Sequence, residues 1–262
     1  MLKNLIKAGS TYLDTMSVLS LNGSMDKIEA LLQGQVTSDI AQLANGCAQI
    51  SCLLDEKGFI QADFIIIRKN DEIFFVIEET LVANLNEQLG QFTKFYSVEI
   101  TEVPLQVRGI LSEIDANKEK GMIYFNNDKY QLAIDLSTSK KDIIKQMTLL
   151  EWRIANKVLL NYEFSQDDIN KYRPNELNYD KTRVSFTKGC FRGQEIVARV
   201  HYLGVNRREF VTAIVNINSQ DNSKLKVKGQ ILEHLDYKIF NASIKKDDVE
   251  KGTFSSIDLI RS

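Results

Sequence analysis

The segment from residue 47 to residue 77 constrains the fold most. It holds an apolar stretch at 47–54, a second at 59–68 containing F-I-I-I, and a third, I-F-F-V-I, at 73–77. Short runs rich in β-branched and aromatic residues are buried-strand signals. The intervening D-E-K-G at 55–58 reads as the four-residue loop of a hairpin, with 73–77 as a third strand. A helix is expected over 80–95, where Leu81, Val82, Leu85, Leu89 and Phe92 share one face.

Around this centre, Val18 to Leu21 predicts a short strand. Ser24 predicts the cap of a helix M-D-K-I-E-A-L-L-Q that ends at a left-handed Gly34. Thr37, Ser38 and Asp39 can cap a second short helix ending near Asn45-Gly46. Strands are expected at 97–101, 105–111, 121–125 and 130–135, then a helical region over 138–160. Residues 161–187 read as a long connecting loop, of the kind that carries function. A helix from Arg192 to His201 or Tyr202 follows, and strands at 208–217, 225–233, 236–241 and 253–260 form a small all-β tail.

Apolar residues make up 44% of the 262, enough to bury a core across one large domain or two to three small ones. The net charge of -2 excludes a molecule built as a whole to coat nucleic acid or an anionic membrane; such a contact needs a local patch. Cys47, Cys52 and Cys190 are an odd set without a C-x-x-C pair, and His201 and His234 are the only histidines. That argues against a disulfide framework and against a zinc or iron–sulfur site built from these residues alone. Core packing is expected for Cys47 and Cys52. The first residues lack the apolar core of a signal peptide, and no run reaches membrane-spanning length, so a soluble cytoplasmic protein is expected, with no membrane partner.

The octapeptide K-G-C-F-R-G-Q-E at 188–195 carries the chemistry. Glycines at 189 and 193 permit a sharp turn and close backbone approach. The helix start behind them, with Lys188 and Arg192, would activate the Cys190 sulfur or hold an anion. The competing reading is a small buried hydrophobe on a tight turn. From 181 to 208 there are seven basic residues and one acid, Glu195, an excess that suggests an anionic partner. Trp152, the only tryptophan, is either a core anchor or a platform for a flat heterocycle. His201 reads as a surface or packing residue. The amide side chains flanking Gly34 in Q-G-Q-V-T-S-D are not explained by capping.

These segments resemble the YgfZ family, relatives of the folate-dependent aminomethyltransferase (T protein) of glycine cleavage. K-G-C-F-R-G-Q-E-I-V-A-R at 188–199 carries the resemblance. L-Q-G-Q-V-T-S-D at 32–39, L-L-D-E-K-G-F-I-Q-A-D-F at 53–64, R-I-A-N at 153–156 and R-P-N-E-L-N-Y-D at 173–180 support it. It spans roughly 15–70 and 150–210. It implies an α+β fold of antiparallel sheets with flanking helices around a central cavity that binds tetrahydrofolate, and a small C-terminal β-barrel-like domain. The expected division is 1–204 for the folate-binding region and 205–262 for the small domain. Cys190 would be the reactive residue near the cavity mouth. Lys188, Gly189 and Gly193 would shape its turn, Gln194 and Glu195 would bond a pterin edge or steady the helix start, and Trp152 would line the cavity. The expected partners are folate and iron–sulfur client enzymes such as tRNA methylthiotransferases, with direct tRNA contact as a further reading. Three departures stand out: Phe191 replaces a common tyrosine and loses its hydroxyl, the tail is short for a barrel, and Ala62-Asp63 leaves one carboxylate where T proteins carry paired aspartates. The implied function is an accessory folate-binding protein; the alternative is a working one-carbon transferase with Asp63 as its base.

Overall fold

The computed structural model describes residues 5–114, 121–204, 207–219, 225–251, 253–254 and 257–261. The apolar segments at 47–77 form the middle of a sheet. β3 (Cys47–Leu54) pairs antiparallel with β4 (Ile60–Lys69), which pairs with β5 (Glu72–Glu78). β2 (Met16–Asn22) and β6 (Glu99–Val103) complete this five-stranded sheet in the order β3-β4-β5-β2-β6.

Unbroken apolar runs mean that both faces are covered, and side-chain alternation sorts them. Ala62, Phe64, Ile66, Ile73, Phe75 and Ile77 enter one core. That core is closed by α1 (Met25–Gln35), by α2 (Val82–Tyr96), and by Tyr162, Phe164, Leu177 and Tyr179 of the long connection. Ile65, Ile67, Phe74 and Val76 enter a second core on the opposite face. It is closed by a second sheet, ordered β1-β7-β9-β8, made of β1 (Gly9–Tyr12), β7 (Gln106–Glu113), β8 (Met122–Asn126) and β9 (Tyr130–Ser137), and by α3 (Leu149–Val158).

The tail forms a third antiparallel sheet, β11-β12-β10-β13, from β10 (Arg208–Asn216), β11 (Lys226–His234), β12 (Tyr237–Lys245) and β13 (Asp258–Arg261). Among the described residues its outer strands, β11 and β13, do not pair with each other, so the barrel-like unit is an open sheet. Ile214, Leu232 and Ile239 from it reach into the second core beside Trp152. Three further helices are α4 (Tyr179–Thr182), α5 (Gln194–Leu203) and α6 (Lys246–Glu250).

Several local expectations need correcting. α1 runs through Gly34 to Gln35, and its C-cap, Val36, is extended rather than left-handed. The second short helix shrinks to one tight turn, Ile40–Gln42, capped by Asp39 accepting from the Ala41 N–H. The helical region at 138–160 is a helix only from Leu149, because a reciprocal cap between Thr148 and Glu151 fixes its start. The expected strand at 253–260 includes residues 255 and 256, outside the described residues; the strand begins at Asp258. Three elements, β1, α4 and α6, were not anticipated, α4 falling within the segment read as a loop. Among the described residues no helix is long and apolar enough to cross a membrane.

One close contact holds α3 on the second sheet. A Cβ built on Gly109 of β7 would meet the Trp152 ring at 2.7 to 2.9 Å. We expect Gly109→Ala to lower stability by about 1–3 kcal/mol through overpacking, read from urea unfolding midpoints. An unchanged midpoint would mean that the indole yields without cost.

Candidate functional site

β4 presents Asp63 on the face it shares with Ile65 and Ile67. There, opposite α3, lies a cavity of about 490 Å³ whose walls include Asp63, Ile65, Trp152, Asn161, Glu163 and Arg183. The polar side is a connected network. Arg183 Nε donates to Asp63 Oδ1 at 2.7 Å and Nη2 to Oδ2 at 3.1 Å. Tyr179 Oη donates to Asp63 Oδ2 at 2.8 Å, and the guanidinium stacks 3.5 Å over the Tyr179 ring. Arg183 also donates to Asn161 Oδ1 at 2.8 Å, Asn161 to Asn156 Oδ1 at 2.7 Å, and Asn156 to the Trp152 carbonyl at 2.9 Å. The chain of bonds runs from strand to helix along the cavity wall.

Glu163 stands apart from this network. Its Oε2 is buried and has no hydrogen-bond partner among the described residues; Arg153 Nε is 3.6 Å away, near enough for charge attraction only. Burial pushes the Glu163 carboxyl up from its ordinary value, and Arg153 and Lys157 pull it partly back. The Glu163 carboxyl group thus lies on the cavity wall within the field of Arg153. Trp152 is 4% exposed, so it is both a core anchor and a wall of the cavity.

The octapeptide lies elsewhere. Lys188, Gly189, Cys190, Phe191, Gly193, Gln194 and Glu195 are not among the cavity's lining residues; of the expected site, only Asp63 and Trp152 are. The octapeptide is clamped onto the 34–38 segment instead. Lys188 Nζ donates to the carbonyls of Val36 at 2.9 Å and Ser38 at 2.8 Å, and the Arg192 N–H donates to the Gly34 carbonyl at 3.1 Å. Phe191 is buried in the first core, and the Arg192 side chain bonds Glu56 and Gln88. Cys190, between these anchors, is exposed.

Gly193 has φ 79° and lies so close to the 55–58 loop that a Cβ would meet the Asp55 carbonyl at 2.5 Å. Both features require glycine. Gly189 has open space around it and no such backbone need. The Gln194 side chain accepts from the Phe191 N–H, which steadies the turn before α5. Glu195 points to solvent and pairs with Arg199 at 2.8 Å, outside the cavity lining. The helix start falls at Gln194, two residues after the expected Arg192.

The other cysteines divide. Cys52 is buried, and burial pushes its thiol up to about 12 against an opposing hydrogen bond from Thr37. Cys47 is exposed at the start of β3 rather than packed. Part of the basic excess at 181–208 is answered from outside that window: Arg183 by Asp63 and Arg192 by Glu56, with Arg199 by Glu195 within it. Among the amides flanking Gly34, Gln33 bonds both Asp39 and the Ile40 N–H, while the Gln35 Oε1 is buried without a partner among the described residues.

Sequence reasoning missed Glu163, Asn161 and Tyr179 and counted Arg183 only within the basic excess assigned to an anionic partner. The available signal was the length of the connecting segment that carries them all.

The molecule has the fold of an aminomethyltransferase T protein. It superposes on the glycine cleavage system aminomethyltransferase T of Bartonella henselae with a TM-score of 0.58, over 92% of this chain and 79% of that one, at 13% identity. In sequence it is similar to tRNA-modifying protein YgfZ of Yersinia enterocolitica, 24% identical over 225 residues (75% of this chain, 68% of that protein). The YgfZ of Vibrio atlanticus is 23% identical over 231 residues (80% and 70%). An uncharacterized protein of Haemophilus influenzae is 28% identical over 209 residues (75% and 70%). No protein-family model matches the chain.

Burial pushes the Lys188 amine down from 10.5 to about 8, with Asp39 pulling it partly back. The unfolded chain keeps that proton to the higher value, so between the two values unfolding takes up a proton and rising pH favours the folded state. Wild-type stability relative to Lys188→Met is expected to be flat below about pH 8 and to climb toward pH 10, followed by urea unfolding. A constant difference across that range would show that the amine keeps its charge when folded.

Proposed function

We propose that this chain binds a reduced folate in the cavity and acts as an accessory factor in tRNA modification, by supporting iron–sulfur enzymes that carry it out. The observation that carries this reading is an indole and a carboxylate, Trp152 and Glu163, on the walls of one cavity. A pterin is a flat heterocycle with an amino group and a ring N–H side by side on one edge. A carboxylate accepts from both, and an indole covers the ring. The cavity volume falls within the range of roughly 300–1,000 Å³ common for such ligands. The aminomethyltransferase fold and the similarity to tRNA-modifying YgfZ proteins support the same reading.

Bound folate would supply a carrier for one-carbon groups. This chain's own residues would bind and orient it: Glu163 at the pterin edge, Trp152 against the ring, Asn161 and the Asp63–Arg183 pair at the polar wall. The rival reading, aminomethyl transfer with Asp63 as base, is disfavoured by geometry. Both Asp63 oxygens accept from Arg183 and one also from Tyr179, so taking a substrate proton would disrupt a buried ion pair. Cys190 is assigned to the encounter with the client rather than to folate.

Calorimetric titration with tetrahydrofolate tests the cavity. Trp152→Ala and Glu163→Gln should each weaken binding by tenfold or more, and unchanged affinity in both would refute the assignment. Cys190→Ala should leave folate affinity intact yet abolish tRNA methylthiolation in a complemented deletion strain; full complementation would remove Cys190 from the account.

A further inference from the structure

Away from the cavity, the C-terminal end of α5 gathers three rings. Phe186 and His201 stack with centroids 3.8 Å apart and planes 18° apart, and Tyr202 stands edge-on to both, at 5.9 and 4.9 Å. Tyr202 is 67% exposed and Leu203 79%. Large apolar side chains left this open at a helix end serve no core.

A groove of about 330 Å³ adjoins them. His201 Nδ1 lies 3.9 Å from Asp180 Oδ2, and Asp180 is part of the groove wall. Lys181, Arg208, Lys246 and Arg261 also line it, against only Asp180 and Glu209. Glu209 is taken by Arg261 at 2.7 Å, and Arg208 is aimed by two hydrogen bonds to Ser243. Lys246 is exposed and forms no ion pair among the described residues. The groove is therefore positive on balance.

We propose that this surface binds single-stranded RNA, with a base stacked on Tyr202 and backbone phosphates in the groove. Exposed rings beside a cationic groove are what an unpaired strand needs: a platform for bases and a track for phosphates. A duplex keeps its bases stacked and cannot use the rings. A protein partner docking through the apolar tip would have no use for the adjoining cations. The proposal rests on the tRNA-modification reading for the identity of the RNA, but uses none of the residues assigned to folate.

The test is fluorescence anisotropy with a labelled oligoadenylate and a blunt RNA duplex across a salt series. The oligoadenylate should bind more tightly, and its affinity should fall with salt. Tyr202→Ala should weaken binding roughly tenfold, as the loss of one stacked base does. Lys246→Ala should reduce the log–log salt slope by about 0.7, the share of one single-strand phosphate contact. Both positions are exposed, and both variants should titrate tetrahydrofolate as wild type does. No binding at low salt, a preference for the duplex, or affinity indifferent to Tyr202→Ala overturns the proposal. Lost RNA binding with normal folate binding sinks this surface alone; the reverse sinks the cavity assignment alone.

Discussion

The ion pair between Asp63 and Arg183 is the contact on which the rest of the architecture depends. Its partners are 120 residues apart in the chain, and Arg183 is almost fully buried. A bidentate carboxylate–guanidinium pair with an added tyrosine hydroxyl compensates two charges that could not stay buried singly. Removing one partner of such a pair typically costs about 3–5 kcal/mol because the other is stranded. The pair pins the long connection across the five-stranded sheet, so the connection closes the first core and forms the polar wall of the cavity. Scaffold and site are thus made by the same bonds.

A second fastening, independent of the first, joins the two sequence segments that look most distinctive. The Val36 and Ser38 carbonyls receive Lys188, and the Gly34 carbonyl receives the Arg192 N–H. The Q-G-Q-V-T-S-D and K-G-C-F-R-G-Q-E segments are therefore two halves of one interface, which answers part of the question raised by the amides around Gly34. Gly193 completes it by packing backbone to backbone on the 55–58 loop.

What was readable in the sequence was local. The hairpin at 47–68 and the apolar face of α2 follow from periodicity and turn chemistry, and both are found as expected. The region at 138–148 was not readable, because polar residues of fair helix propensity give no period and the Thr148–Glu151 cap decides the matter. The candidate site divides along the same line. Trp152 and Asp63 were legible as a lone tryptophan and a lone carboxylate within recognisable segments. Glu163, Asn161 and Tyr179 were not, since each acquires meaning only from partners far away in the chain. Their segment looked like a loop by composition, and its burial comes from tertiary contacts that no local pattern encodes.

The anchoring of the loop around Cys190 has a consequence for timing. Lys188 and Phe191 on either side are buried, and Arg192 is tied to three other segments. The sulfur therefore has a fixed address and little reach. It cannot swing inward without surrendering the bonds that hold its neighbours, so whatever reacts with it must be delivered from outside. Any chemistry at that sulfur would be paced by collisions with a visitor.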